Sequence, residues 1–219
     1  MRFARLYYGR RMNRFTARIY DRMFRNSEEA GLTAIRRDAL ADAHGDVLEI
    51  GAGTGLNLRA YPRQGITRIV ATEPNPAMRR QLEQKVGDAP VPVEVVAAAA
   101  EELPFADATF DTVVGTLVLC EPKDPAVVVE EVARVLKPGG RYLFLEHVRS
   151  DEPKLARKQD RWAPLWRTVS GGCSCNRSTL ATIEASGLDV ERASMGRFPK
   201  SPEITRPLLR GAAVRGDYL

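Results

Sequence analysis

Three glycines in the run VLEIGAGTG, Val47 to Gly55, stand behind a short apolar segment (Val47, Leu48, Ile50) that carries one acid, Glu49. Gly51 and Gly53 permit a tight turn with no Cβ in the way, and Gly55 is expected to open the next helix, so a nucleotide-like ligand can approach the backbone there. The spacing is GxGxG and not the GxGxxG of dinucleotide folds. The missing residue disfavours a pyrophosphate at a helix N-terminus. S-adenosylmethionine carries no phosphate but bears a sulfonium cation, which Glu49 suits; a glycine-rich turn with no ligand is the plain structural alternative. Glu73 follows Gly55 by 18 residues, at the end of a second apolar run. A carboxylate there can accept both ribose hydroxyls, or it can act as a capping acid ahead of Pro74 and Pro76.

The elements that must position these residues alternate. Helices are expected near 3–25 and 28–43, then strands near 46–50, 68–73, 92–97, 110–119 and 141–148 with helices between them. Pro138 to Gly140 ends a helical run that carries Val127, Val128, Val132, Val135 and Leu136, because proline cannot continue a helix and glycine accepts positive φ. Such alternation implies right-handed crossovers and a mainly parallel sheet.

With VLEIGAGTG and Glu73, the segments AEELPFADATFDTVVGTLVL and VLKPGGRYLFLEHV resemble class I S-adenosylmethionine-dependent methyltransferases of the type 11 group, over about residues 20 to 215. TLVLC (Thr116 to Cys120), EHV (Glu146 to Val148), the stretch to Trp166 and GGCSCNRST (Gly171 to Thr179) resemble the methyltransferase-like 7 family. Bacterial phosphatidylethanolamine N-methyltransferases and methyltransferases of quinone biosynthesis share a similar outline. The resemblance implies an α/β, Rossmann-like class I methyltransferase fold: a mainly parallel seven-stranded sheet with an antiparallel last strand and helices on both faces. Segments near 188–195 and 206–214 would form the closing hairpin. Residues 1–43 would be a helical lid within the same domain, and residues 44–219 the core.

For the donor site the resemblance implies backbone contacts from Gly51, Ala52, Gly53 and Gly55, ribose held at Glu73 and Pro74, and adenine flanked by Met78, which has a second reading as a helix residue facing the core. Ala100 and Glu101 would meet the adenine edge, and Thr116 and Leu117 would complete the floor. Ala99 stands where the family often has Asp, so a side-chain hydrogen bond to adenine is in doubt. Tyr20, followed by Asp21, matches the tyrosine of the family's YD element, which would close over the donor; a plain amphipathic anchor is the alternative.

The narrower resemblance implies a thiol acceptor, and a free thiol with a pKa of about 8.5 is mostly protonated at neutral pH. His147, expected at the carboxyl end of the fifth strand, is the candidate base, with a structural hydrogen bond as its other reading. Trp162 and Trp166, four apart, would wall an apolar acceptor pocket or pack in the core. Cys173 would line the acceptor loop or be a buried small hydrophobe. Cys173 and Cys175 offer two ligands without a second pair at a recognised zinc spacing, so no metal is expected.

The chain has 219 residues, 44% of them apolar, which suits one domain. Its net charge is +5, but residues 1–26 hold eight arginines against Asp21 and the remainder sums to −2. Tyr8, Met12, Phe15, Ile19 and Met23 recur at helical spacing within that arm. It reads as an amphipathic basic helix that packs as a lid, with peripheral membrane contact as the other reading. No RNA-binding motif accompanies it, so nucleic acid is not an expected partner. With three cysteines and no apolar run of bilayer length, a cytoplasmic location is expected. The leading expectation is a methyltransferase for a small, apolar acceptor. An amine or phosphatidylethanolamine N-methyltransferase at a membrane surface and a non-catalytic donor-binding regulator are the alternatives.

Overall fold

A computed structural model describes residues 14–216, with side chains from Tyr20 onward. Helix α1 (Arg14–Ser27) runs through a π-turn at Glu28–Leu32 into α2 (Thr33–Leu40). Strand β1 (Gly45–Ile50), β2 (Ile66–Thr72), helix α3 (Pro76–Lys85) and β3 (Val93–Val96) follow. The second half holds β4 (Phe110–Thr116), α4 (Pro125–Val135), β5 (Leu136–His147), α5 (Pro153–Val169), α6 (Thr179–Glu184), β6 (Leu188–Arg197) and β7 (Pro207–Arg215). The strands form one seven-stranded sheet in the order β3-β2-β1-β4-β5-β7-β6. β7 runs antiparallel to both of its neighbours, and the β1–β5 pairs are parallel.

Strands buried on both faces explain the apolar runs seen in the sequence. Leu48, Val70 and Val113 point to one side, into a core closed by Val128, Val132 and Ile183. Val47, Ile69 and Val114 point to the other, against Leu40, Ala43 and Tyr61. Two helices start on matched caps. Asn75 Oδ1 accepts from Ala77 N (2.8 Å) and Met78 N (3.2 Å), with Pro76 at the first helical position. Asp124 Oδ1 accepts from Ala126 N ahead of α4, again with proline leading.

Several local expectations are corrected. Gly55 opens no helix: residues 52–60 form successive turns, with Gly55 N bonded to Ala52 O (2.9 Å) and Leu58 N to Gly55 O (3.2 Å). β4 stops at Thr116 because Leu117 adopts φ +60°, outside the strand region. β5 begins at Leu136, directly after α4, and carries Pro138 to Gly140 within it. The second helix breaks at Gly31 (φ 119°). Residues 3–13 of the first expected helix, with Tyr8 and Met12, lie outside the described residues, as do the side chains of Phe15 and Ile19. Met23 is 65% exposed; the inward face of α1 instead carries Tyr20 and Phe24, stacked with ring centroids 4.7 Å apart.

Candidate active site

The carboxyl ends of β1, β2 and β4 open onto one cleft, as ligand sites do in open α/β sheets. The cleft has a volume of about 880 Å³ including its open mouth, and its walls come from five segments. Gly51 and Gly53 form one edge, and Glu73, Pro74, Asn75 and Met78 a second. Ala100, then Thr116 through Val118 with Glu121, and finally Gly171 and Gly172 complete it, with Tyr20 above. Gly51 sits at φ +57°, and a Cβ there would lie 2.8 Å from Val118 Cγ2. The turn therefore needs glycine both for conformation and for space.

Glu73 is set by its neighbours before any ligand arrives. It is 7% exposed; Oε2 accepts from Gly53 N (2.9 Å) and Oε1 from Asn75 N (2.7 Å). Burial raises its pKa, opposed by those two N–H groups and by Arg79. Each oxygen keeps a further lone pair for a ligand hydroxyl.

A smaller polar recess adjoins the glycine turn, lined by Tyr20, Arg36, Glu49, Ala52, Thr54, Asn57 and Thr116 among others. Glu49 is buried there, accepting from Asn57 Nδ2 (3.0 Å) and Tyr61 Oη (2.7 Å). Burial pushes its carboxyl up to about 7, against those bonds and the nearby Arg36. Arg36, 5% exposed, donates to Asn57 Oδ1 (2.8 Å) and to Glu28 Oε1 (3.0 Å). A cation and an acid thus share one recess. Helix α1 is pinned over it: Asp21 accepts from the Thr54 hydroxyl and from Lys85, and Lys85 also donates to Thr54 O (2.9 Å).

Of the residues singled out in the sequence, the cleft and recess bring together Tyr20, Glu49, Gly51, Ala52, Gly53, Glu73, Pro74, Met78, Ala100, Thr116 and Leu117. Gly55 lies beneath, at φ +82°, where a Cβ would meet Leu82 Cδ1 at 2.9 Å; Glu101 is not part of the lining. Trp162 is 45% exposed and lies outside the cleft. Trp166 and Cys173 neighbour each other and do not line the cleft. Asn75, Val118, Glu121, Gly171 and Gly172 of the cleft, and Arg36 and Asn57 of the recess, escaped the sequence reading. A buried arginine inside a helix carries no motif; Val118 within TLVLC, Glu121 directly after it, and Gly171 and Gly172 at the head of GGCSCNRST were the ones with a usable signal.

His147 is seated differently from the expectation. It does not line the cleft; its ring lies 4.9 Å from that of Phe198, and it hydrogen-bonds the Thr205 backbone. Burial lowers its pKa to about 4, the Thr205 bond opposing. A base needs reach and a matched pKa, and at this position His147 has neither. Among the described residues no cluster of three or more His, Cys, Asp or Glu is placed to hold a metal, and no helix is long and apolar enough to cross a membrane.

A methyltransferase-domain family model matches residues 48–144. The human thiol S-methyltransferase TMT1A is 30% identical over 92% of this chain and 83% of its own length. The rat thiol S-methyltransferase TMT1B is 33% identical over 97% and 87%. A Cereibacter sphaeroides phosphatidylethanolamine N-methyltransferase is 37% identical over 57% of this chain and 62% of its own. Among solved structures, a Haloferax volcanii methyltransferase in complex with the Trm112 activator superimposes with a TM-score of 0.68 at 20% identity, over 90% of this chain and 94% of that one. The fold, a cleft built on GxGxG and an anchored Glu73, and relatives matched along nearly the whole chain agree. The chain belongs to the class I S-adenosylmethionine-dependent methyltransferases, within the methyltransferase-like 7 family.

Proposed function

We propose that this methyltransferase acts on small, apolar thiols. The observation that carries the reading is the cleft itself. Glu73 and the glycine turn form its donor side, and Leu117, Val118, Gly171 and Gly172 give an acceptor side with few polar groups. Similarity to thiol S-methyltransferases over more than nine-tenths of this chain supports sulfur as the accepting atom.

The residues fit the donor chemically. Glu73 would hold the ribose hydroxyls and Met78 would face the adenine. The recess pairs Arg36 with Glu49, matching the carboxylate and ammonium of an amino-acid tail. When bound, S-adenosylmethionine supplies an electrophilic methyl group on a sulfonium. The protein contributes alignment and exclusion of water, with Tyr20 and α1 acting as the lid and residues 44–219 as the core. A cytoplasmic location goes with this reading. The exposed Met23 and the arginine-rich arm support peripheral contact with an anionic membrane, which vesicle co-sedimentation tests.

An ammonium beside Glu49 favours its ionised form. Donor affinity is therefore expected to rise about tenfold between pH 5.5 and 7 as Glu49 titrates near 7. Calorimetric titration of wild type and Glu49→Gln checks this, and a slope that survives the substitution would sink it.

Glu121 takes the place of His147 as the group that receives the acceptor's proton, because it lines the cleft and His147 does not. Glu121→Gln is expected to lower turnover of weakly acidic thiols about tenfold or more at pH 7 while sparing pre-ionised aryl thiols. His147→Asn should leave the pH–rate profile in place. Equal losses with both thiol classes would argue against a base.

The primary experiment measures S-adenosylhomocysteine formation with a panel of alkyl and aryl thiols, against a no-enzyme control at the same pH. Turnover above background supports the reading. Donor binding with no thiol turnover would reject it and transfer the assignment to an amine or lipid headgroup.

A further inference from the structure

Cys120 and Cys173 come from loops far apart in the chain, one after β4 and one after α5. Ser174 N donates to Cys120 O (2.8 Å), and Arg177 braces the same junction through Cys120 O (3.4 Å) and Pro122 O. Leu117, Val118 and Glu121 of the first loop line the donor cleft, as do Gly171 and Gly172 of the second. The junction of the two loops is therefore a wall of the cleft. At that junction the Ser174–Cys120 bond sets Cys173, the residue before Ser174, beside Cys120, and the two thiols influence each other's ionisation.

The two sulfurs are not equivalent. Cys120 is 2% exposed and donates to Leu117 O (3.5 Å). Cys173 is only partly buried, so a small molecule can reach it first. The neighbouring Cys120 side chain holds the Cys173 thiol below its usual pKa against the cost of burial, helped by the Trp166 indole and by Arg177 and opposed by Glu121. Trp166 Nε1 is buried with no hydrogen-bond partner. The neighbouring Cys173 and burial hold Cys120 well above its usual pKa, with Glu146 and Glu121 adding to the effect. One thiol is thus set to act as nucleophile and the other keeps its proton, the division of labour found in attacking and resolving cysteines. Cys175, fully buried, has its thiol pushed up to about 11, mainly by burial.

We propose that Cys120 and Cys173 form a peroxide-reactive dithiol site that closes to a disulfide across the wall of the donor cleft. The Cys173 sulfur attacks one oxygen of hydrogen peroxide; the O–O bond breaks, the thiol's proton leaves with the departing oxygen as water, and Cys173 becomes a sulfenic acid. The Cys120 sulfur then attacks the sulfenic sulfur. The S–O bond breaks, an S–S bond forms, and the oxygen departs as a second water carrying the Cys120 proton. Two thiols lose two electrons, and one peroxide gains them. The product ties the Leu117–Glu121 wall to Gly171 and Gly172.

The test uses the full chain with hydrogen peroxide as the probe, followed by denaturing alkylation and peptide mass mapping without reductant. The expected result is one cross-linked peptide pair joining Cys120 to Cys173 with the loss of two hydrogens, reversed by dithiothreitol, while Cys175 stays alkylatable. Cys120→Ser should stop the reaction at a Cys173 sulfenic acid that dimedone traps. Cys173→Ser should leave Cys120 a thiol at the same peroxide dose. The wild-type map needs no variant to fold. A Cys173–Cys175 link, over-oxidised Cys173 beside free Cys120, or three unchanged thiols would each overturn the proposal.

Discussion

Replacing Glu73 with glutamine is expected to weaken S-adenosylmethionine binding about 100-fold, or about 2.7 kcal/mol, with little loss of folded structure. Both Glu73 oxygens already accept backbone N–H groups, from Gly53 at 2.9 Å and Asn75 at 2.7 Å. A glutamine must turn its NH2 toward one of those donors. Either the glycine turn or the start of α3 then loses its acceptor and gains a like-signed neighbour. The remaining carbonyl cannot accept from both ribose hydroxyls, and the charge that strengthened those bonds is gone. Arg79, which donates to Glu73 O at 3.0 Å and favours the ionised carboxylate, would be left facing a neutral group. Isothermal titration with S-adenosylmethionine and with S-adenosylhomocysteine checks the effect, and thermal melting separates it from unfolding. An affinity within threefold of wild type would remove Glu73 from the donor site.

The glycine-turn side of the cleft is legible in the sequence because it is local. Gly51, Gly53 and Gly55 are read from one nine-residue run, and all three adopt positive φ. Glu73 is read from its distance to that run and its place at the end of an apolar segment. The opposite side is assembled by packing. Glu121 and Gly171 to Gly172 meet only because the loop after α5 docks on the loop after β4, and no periodicity announces that. Arg36 and Asn57 are likewise hidden, one in a helix and one in a turn, until the fold sets them 2.8 Å apart. The misplacement of His147 is one of strand parity. Neighbouring strand residues face opposite sides, so Glu146 turns to the loop under the cleft, donating no proton but accepting from Val118 N and Leu119 N. His147 turns away to Phe198. The resemblance marked the tripeptide, and only the register of β5 against β4 and β7 decides which of its members meets the site. In the same way the extent of β4 was overestimated because Leu117 to Leu119 are as apolar as a strand, yet Leu117 at φ +60° ends the ladder and starts the cleft floor.

Glu146 should make the folded protein less stable as the pH rises, and Glu146→Gln should remove much of that loss. The side chain is fully buried; Oε1 accepts from Val118 N (2.9 Å) and Leu119 N (3.0 Å), while Oε2 is buried without a hydrogen-bond partner. Burial pushes the carboxyl up to about 8, against those two N–H groups and with Cys173 and Glu121 adding to the rise. An unfolded glutamate titrates near ~4.3, so the folded state holds its proton over a range in which the unfolded chain has released it. The stability contribution is complete below the unfolded pKa, falls as the pH climbs and is lost by about 8. Glu49 acts with the same sign up to about 7. His147, lowered to about 4, acts oppositely, losing stability as the pH falls from its unfolded value toward 4. Between pH 5.5 and 8 the Glu146 contribution alone is about 3 kcal/mol at most. Urea unfolding at pH 5.5 and 8.5 should therefore show wild type losing more stability than Glu146→Gln, by about 1 to 3 kcal/mol. Parallel pH dependences would mean that Glu146 is ionised in the fold or reached by water. Because Gln keeps an oxygen for Val118 N and Leu119 N, the Leu117 turn should persist and donor affinity with it. Glu146→Ala leaves both N–H groups without an acceptor and should weaken donor binding together with stability, which ties the buried carboxylate to the shape of the cleft floor and separates that role from proton transfer.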